Sequence, residues 1–355
     1  MGELRLTEIS KIYDGAAAVD DLTLTVHDGE FLTLLGPSGC GKTTTLRMIA
    51  GFARPTTGEL RLDGRVITSV SSRVFIPPER RRMGMVFQSY AVWPHMDVFQ
   101  NVAYPLKFQR MDKATIQERV QRALSLVKLD GLAARYPHQL SGGQQQRVAL
   151  GRALVMEPEV LLLDEPLSNL DAKLREQMRG EIRDLQKRVG VTIVYVTHDQ
   201  VEAITMSDRI AVMHQGRVLQ IGTPQEIYEL PTDRFVAGFV GTANFIDARV
   251  VGRQGDRTEF RLEDTSQTVL YQIDRPLPDE EVTIIVRPEN LRLCPAGQTG
   301  LIGVVLQRTY RGDRLDYAIQ IGDHRIQVES TIADLYEDGA EVGLEMRSLA
   351  VVSRN

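Results

Sequence analysis

"GPSGCGKT", residues 36–43, lies between the apolar run "EFLTLL" (30–35) and the helix-forming "TTLRMIAG" (44–51). It fits the pattern G-x-x-x-x-G-K-[ST] in the context that pattern requires, a buried strand before it and a helix after it. Gly36, Gly39 and Gly41 leave the main chain free to wrap an anion, with Pro37, Ser38 and Cys40 filling the positions between them. Amide N–H groups and the positive end of the following helix would face a phosphate. Lys42 is placed to reach the terminal phosphates, and the Thr43 hydroxyl to reach Mg²⁺. The expectation is an α/β P-loop NTPase.

Outward from the loop the chain keeps to that class. "ELRLTEIS" and "LTLTV" alternate as strands, and "GELRLDGRVIT" (58–68) reads as a hairpin turning at Asp63-Gly64. Residues 97 to about 156 read as mainly helical. From 160 onward strand and helix alternate: "VLLLD", a helix over about 172–189, "TIVYVTH", a helix over about 199–206, then "DRIAVM". Alternation of this kind builds a parallel sheet with crossover helices. "VLLLDE" (160–165) delivers Asp164, a candidate Mg²⁺ partner, and Glu165, a candidate for polarising water. Alone, paired acids there also read as a solvated strand exit. A second glycine-bearing loop, "LSGGQQQR" (140–147), precedes another helix and is also suited to an anion.

The order of these pieces carries a resemblance. "LSGGQQQR" lies just before "VLLLDEP", "SNLD" (168–171) just after, "VTHD" (196–199) one strand later, and Gln88 ends "MGMVFQ". This set resembles the nucleotide-binding subunit of ATP-binding-cassette (ABC) transporters, over essentially residues 3–240. The resemblance implies ATP and Mg²⁺ as cofactors. It implies that Lys42, Thr43 and Thr44 contact phosphates and Mg²⁺, that Gln88 senses Mg²⁺ and the attacking water, and that Asp164 supports the metal. Glu165 is then the general base and His198 the contact to the γ-phosphate, although a bare histidine there reads more readily as a packed or surface residue. Tyr13 matches the aromatic that stacks on adenine, and as a lone residue it reads as a strand-edge tyrosine. The resemblance also implies a head-to-tail homodimer in which Ser141, Gly142, Gly143 and Gln144 cap the partner's nucleotide, with Asp171 retained beside them. Integral-membrane permeases would dock near "SYAVWPHMDVFQNVAYPL" (89–106), where Trp93 reads either as a partner anchor or as core.

Three local expectations accompany this reading. Asn169 stands where the family more commonly has alanine, a change expected to be harmless because Asp171 is kept. Gly151 interrupts the signature helix, where a better helix former would save about 1 kcal/mol, and close helix packing is the suggested reason. The arginines of the 71–82 loop are expected to form a solvated face.

Near 240 the character changes to short strands split by turns. Residues 241–355 resemble the OB-like, all-β TOBE domain of importer ATPases through "VRPENLRL" (286–293) and "VVLQRTYRGDRLDYAIQIGD" (304–323). The expected domains are therefore 1–240, with a helical subdomain over about 89–156, and 241–355. "EVTIIVRPENLRL" and "EVGLEMRSLAVVS" suggest two related halves. Dimer bracing and regulatory-ligand binding both remain open for this region.

Bulk composition excludes other classes. A net charge of -5 with 25% charged residues argues against nucleic-acid binding by bulk electrostatics. The two cysteines, Cys40 and Cys294, have no metal or redox spacing, which suggests a reducing compartment. The apolar runs are strand-sized and the N-terminus lacks a signal-peptide pattern, so membrane attachment would be borrowed from partners at the cytoplasmic face. An extracellular or periplasmic solute-binding protein would be an indirect partner. "YAVWPHM" and "FVAGFVGTANF" lean the cargo toward ferric iron, polyamine or phosphonate, with sugar as the alternative. A soluble ABC ATPase is a further alternative, disfavoured by the single cassette and the lack of sustained heptads.

Overall fold

The computed structural model describes residues 2–109, 111–273, 277, 280–332 and 335–354. The chain divides into two compact units, one running to Pro224 and the other starting at Gln225.

The first unit opens with the hairpin β1 (Leu4–Tyr13) and β2 (Ala16–Val26), followed by β3 (Phe31–Leu35), the glycine loop and α1 (Lys42–Ala50). Gly51, at φ 88°, ends α1 in the left-handed conformation that a side chain would resist. β4 (Thr57–Leu62) and β5 (Arg65–Ser69) form the expected hairpin, with Asp63 and Gly64 both at positive φ, and β6 (Val74–Phe75) and β7 (Met83–Val86) follow. The helical segment is α2 (Val98–Ala103), α3 (Lys113–Leu126) and α4 (Gly142–Leu154), capped by Asp97, Asp112 and Ser141. Then come β8 (Val160–Asp164), α5 (Ala172–Val189), β9 (Thr192–Thr197), α6 (Gln200–Met206), β10 (Arg209–His214) and β11 (Arg217–Gly222).

Two sheets result. One is antiparallel in the order β2-β1-β4-β5-β6; the other runs β11-β10-β3-β9-β8-β7 and is parallel from β10 to β7. Strands β3, β8 and β9 are apolar at almost every position because both of their faces are covered. Leu161, Leu163, Ile193 and Tyr195 join the core on the helical side, while Val160, Leu162, Val194 and Val196 join the core shared with the antiparallel sheet and α1. Gly151 of α4 faces Val127 and Val102, whose methyl carbons would lie 3.4 and 3.5 Å from an added Cβ. These are ordinary van der Waals distances, so the packing there does not by itself require glycine.

The 71–82 loop departs from expectation at one residue. Arg80 and Arg82 are exposed, but Arg81 is fully buried. Its guanidinium donates to the main-chain oxygens of Ile76, Met48 and Ile49 and to the Thr68 hydroxyl, and it lies 5.1 Å from the Phe75 ring centroid. Burial lowers its pKa to about 10, which still leaves it charged at neutral pH. Two of the acceptors are last-turn carbonyls of α1, at the helix end where carbonyls outnumber the helix's own donors. Arg81 is therefore a buried clamp on the helix that follows the phosphate loop, not part of a solvated face.

The second unit begins with α7 (Pro224–Glu229) and α8 (Arg234–Phe239), so the division falls ahead of the boundary expected at 240. The reason lies in "VRPEN". Buried Arg287 donates to the carbonyls of Tyr228, Ala237 and Thr242 and stacks on the Tyr228 ring at 4.1 Å, which holds both helices to the β-structure. Strands β12 (Asn244–Gln254), β13 (Arg257–Leu262), β14 (Thr268–Gln272), β15 (Glu281–Val286), β16 (Leu291–Pro295), β17 (Ile302–Tyr310), β18 (Leu315–Ile321), β19 (His324–Ser330), β20 (Glu341–Met346) and β21 (Ala350–Ser353) complete it. They form two five-stranded antiparallel sheets, β14-β13-β12-β15-β21 and β16-β20-β17-β18-β19, which share one core. The two similar stretches pair crosswise: β15 with β21, and β16 with β20. Each stretch passes from one sheet to the other at its bend.

Among the described residues, no helix is long and apolar enough to cross a membrane.

Candidate nucleotide site

The phosphate loop leaves the carboxyl end of β3, the position where ligands of parallel α/β sheets bind. Gly39 and Gly41 have φ of 82° and 103°. A Cβ on Gly41 would meet the Ala18 carbonyl oxygen at 2.4 Å, and one on Gly36 would meet the Met213 oxygen at 2.3 Å. Glycine is required at both places by backbone approach. Gly41 gives α1 no side-chain cap, and the first turn holds no acid, so the helix presents unfilled N–H donors toward the loop. Lys42 is buried, with Nζ donating to the carbonyls of Gly36 (2.8 Å) and Pro37 (2.9 Å). Buried Cys40 has its thiol pKa raised by desolvation, an effect partly offset by Lys42. Ser38 and Gly39 are exposed, and Thr44 is half-buried.

Two neighbouring strands add the acids and amides. Thr43 Oγ1 donates to Asp164 Oδ1 at 3.0 Å. Asp164 is buried at the end of β8, and desolvation raises its pKa, against the Thr43 bond and with the help of the Glu165 charge. Glu165, at φ 44°, holds a left-handed backbone unusual for a residue with a side chain, fixed by its N–H donating to the Val196 oxygen at 3.0 Å. One carboxylate oxygen, Oε2, accepts from Gln88 Nε2 at 3.3 Å and lies 3.2 Å from His198 Nδ1. Gln88, Glu165 and His198, from three different loops, thus meet at a single oxygen.

Beneath His198 lies a buried network that the sequence reading missed. Glu202 Oε2 accepts from the Tyr195 hydroxyl (2.8 Å) and from the Thr197 hydroxyl (2.7 Å), and Thr197 Oγ1 in turn accepts from the Asp199 N–H. Burial raises the Glu202 pKa. A carboxylate four residues after a histidine, at the start of a helix, was the available signal. Arg152 was missed as well. It donates to the carbonyls of Tyr90 (2.7 Å) and Ala91 (2.6 Å) and lies 4.5 Å from the Trp93 ring centroid. Half-buried Trp93 also packs on Tyr104 at 4.3 Å, so the residue is tied into the helical segment while keeping an open face.

The remaining expected residues fall outside this cluster. Ser141 and Gln144 cap α4 reciprocally: Gln144 N donates to Ser141 Oγ (3.4 Å) and Ser141 N to Gln144 Oε1 (2.9 Å). Gly142 and Gly143 pack on Leu170 and Leu174. Asp171 caps α5 by accepting from Leu174 N. Tyr13 is 48% exposed at the tip of the β1–β2 hairpin, whose Ala18 abuts Gly41, and its ring lies 4.7 Å from the Lys11 ammonium. A separate polar groove of about 730 Å³, lined by Asp28, Arg82, Glu157, Glu159 and Gly190 among others, sits at the amino ends of β3, β7, β8 and β9. It opens at the end of the sheet opposite the phosphate loop.

Comparison with known proteins agrees with this geometry. The family described as ABC transporter matches residues 19–168, and the TOBE domain matches residues 284–352. The chain is 50% identical over 322 residues to the spermidine/putrescine import ATP-binding protein PotA of Rubrobacter xylanophilus, covering 90% of this chain and 84% of the relative. It is 49% identical to the Aliivibrio fischeri PotA, with 90% and 85% covered. Among solved structures, the dimeric ATP-binding cassette MJ0796 in a post-hydrolysis state bound to ADP and Pi matches with a TM-score of 0.54 and 32% identity, covering 62% of this chain and 98% of that one. CbiO1 of Clostridium perfringens matches with a TM-score of 0.58 and 31% identity, over 63% and 89% of the two chains. The chain belongs to the ABC transporter family, as an ATP-hydrolysing importer subunit that carries a TOBE domain.

Proposed function

We propose that Glu165 is the general base of ATP hydrolysis and that the chain drives polyamine uptake through separate permeases. The convergence of Gln88 and His198 on Glu165 Oε2, beside the Thr43–Asp164 pair, supports the catalytic part. In this reading Lys42, Thr44 and the loop N–H groups hold the phosphates of ATP. Thr43, Asp164 and Gln88 would hold Mg²⁺, which when bound neutralises charge on the phosphate oxygens. Glu165 takes a proton from the attacking water, with Gln88 orienting that water and His198 contacting the γ-phosphate. Tyr13 stacks on adenine.

Two chains pack head to tail, so that Ser141, Gly142, Gly143 and Gln144 of one cap the nucleotide of the other, next to Asp171. The dimeric state named for MJ0796 supports this assembly. ATP favours the closed pair and hydrolysis releases it, and permeases docked near residues 89–106 follow that cycle on the cytoplasmic face. The names of the relatives favour polyamine over ferric iron, phosphonate or sugar as cargo.

The decisive experiment is Glu165→Gln in the full chain. It should keep ATP binding and lose turnover by at least about a hundredfold, and near-normal turnover would remove Glu165 from the role. Spermidine-dependent ATPase stimulation in vesicles carrying the permeases and solute receptor tests the cargo, with ferric iron as the comparison.

A further inference from the structure

Asn169 does more than replace a small residue. Its Nδ2 donates to the main-chain oxygen of Gln88 at 2.9 Å. One residue earlier, the N–H and hydroxyl of Ser168 both donate to the Glu165 carbonyl, at 3.2 and 2.9 Å. The Gln88 side chain donates back to Glu165 Oε2 at 3.3 Å. Glu165, the turn at 168–169 and Gln88 therefore form a closed ring of hydrogen bonds. A ring fixes relative position in a way that any single bond on an exposed surface does not.

Gln88 needs such a tie. It lies beyond the end of β7, and the chain just after it turns through Tyr90 and Ala91, two consecutive left-handed residues at φ 60° and 48°. Arg152 holds the carbonyls of those two residues from α4, and Asn169 holds the Gln88 carbonyl from the turn ahead of α5. Alanine at 169 has no donor to give, so the tie to Gln88 is a contact that the commoner residue could not make.

We propose that Asn169 is a positioning residue for hydrolysis, acting through Gln88 by holding its main chain so that its side-chain amide meets Glu165. The inference rests on the proposed catalytic role of Glu165.

The test is steady-state ATP hydrolysis by the full chain carrying Asn169→Ala or Asn169→Asp, in wild-type and Gln88→Ala backgrounds. Both single variants lack the Nδ2 donor. Each should lower kcat by about three- to tenfold, the range of one hydrogen bond lost in the transition state, with KM for ATP within about twofold. In the Gln88→Ala background, Asn169→Ala should change the residual kcat by less than about 1.5-fold, because the group it positions is gone. An unchanged kcat in the single variants overturns the proposal. So does an equal fold loss in both backgrounds, which would show that Asn169 acts without Gln88, through stability or otherwise. A raised KM at full kcat overturns it too. Glu165→Gln separates the two readings: if that variant turns over normally the catalytic assignment fails, and if it is inactive while Asn169→Ala is silent, only this inference fails.

Discussion

The Thr43 hydroxyl, from the first turn of the helix after the phosphate loop, donates to the Asp164 carboxylate at the end of a neighbouring strand, 3.0 Å away. The contact joins two segments more than a hundred residues apart in the chain at the place where Mg²⁺ is proposed to sit. Asp164→Asn keeps the shape but halves the acceptor capacity and removes the charge. It should reduce Mg²⁺-dependent turnover by about a hundredfold or more while leaving the fold intact. Hydrolysis measured across a Mg²⁺ titration, with circular dichroism as the fold check, decides it.

Two glycines should respond unequally to alanine. Gly41→Ala places a Cβ 2.4 Å from the Ala18 oxygen at a φ of 103°, so the loop must deform and nucleotide binding should fall at least about tenfold. At Gly151 the nearest neighbour would be a methyl at 3.4 Å with helical φ, and the gain in helix propensity offsets the tighter contact. Gly151→Ala should shift stability by less than about 1 kcal/mol in either direction. Fluorescent-nucleotide titration and urea unfolding read the two effects.

Arg81→Ala removes the donor to four acceptors around α1 and leaves a void in the core. The expected loss is about 3 kcal/mol in the unfolding of the first unit. Arg81→Lys should recover only part of it, since one ammonium cannot match the planar fork. Denaturant unfolding followed by fluorescence measures both.

Glu202 gives a pH signature. Burial raises its pKa in the folded chain above the value in the unfolded one, so between the two values the folded state binds more protons. Its contribution is present below the unfolded value, about 4.3, and is lost as pH rises through the folded value. The stability of the wild type relative to Glu202→Gln should therefore fall as pH rises from about 4 toward neutrality. A difference that stays flat over that range would show that burial does not perturb Glu202.

The phosphate loop and the strand bearing Asp164 were legible because short-range patterns encode them: spacing of glycines, and apolar runs buried on both faces. The β4–β5 hairpin and α5 were legible for the same reason. Arg81 and Glu202 were not. A buried charge looks in sequence like any surface charge, and only the convergence of carbonyls or hydroxyls from distant segments reveals why it is tolerated. The partner of Asn169 was not legible either, because it is a main-chain atom, which carries no residue identity. The tie that joins the helices at 224–239 to the β-structure was not legible, because Arg287 lies some fifty residues downstream.

The crosswise pairing in the second unit also sets an order of completion during synthesis. β16 joins its sheet only through β20, and β15 is flanked on one side by β21. Both partners lie in residues 341–353, which leave the ribosome after the strands they pair with. Every nucleotide-site group described above is translated before residue 224, so the first unit can reach its native contacts while the β-unit still waits for its last strands. A premature stop near residue 340 would leave β16 without its hydrogen-bonded partner and uncover the apolar side chains of Leu291, Leu293 and Ile284. Such a truncated product would carry an assembled nucleotide site on a chain marked for aggregation or proteolysis by its unfinished end.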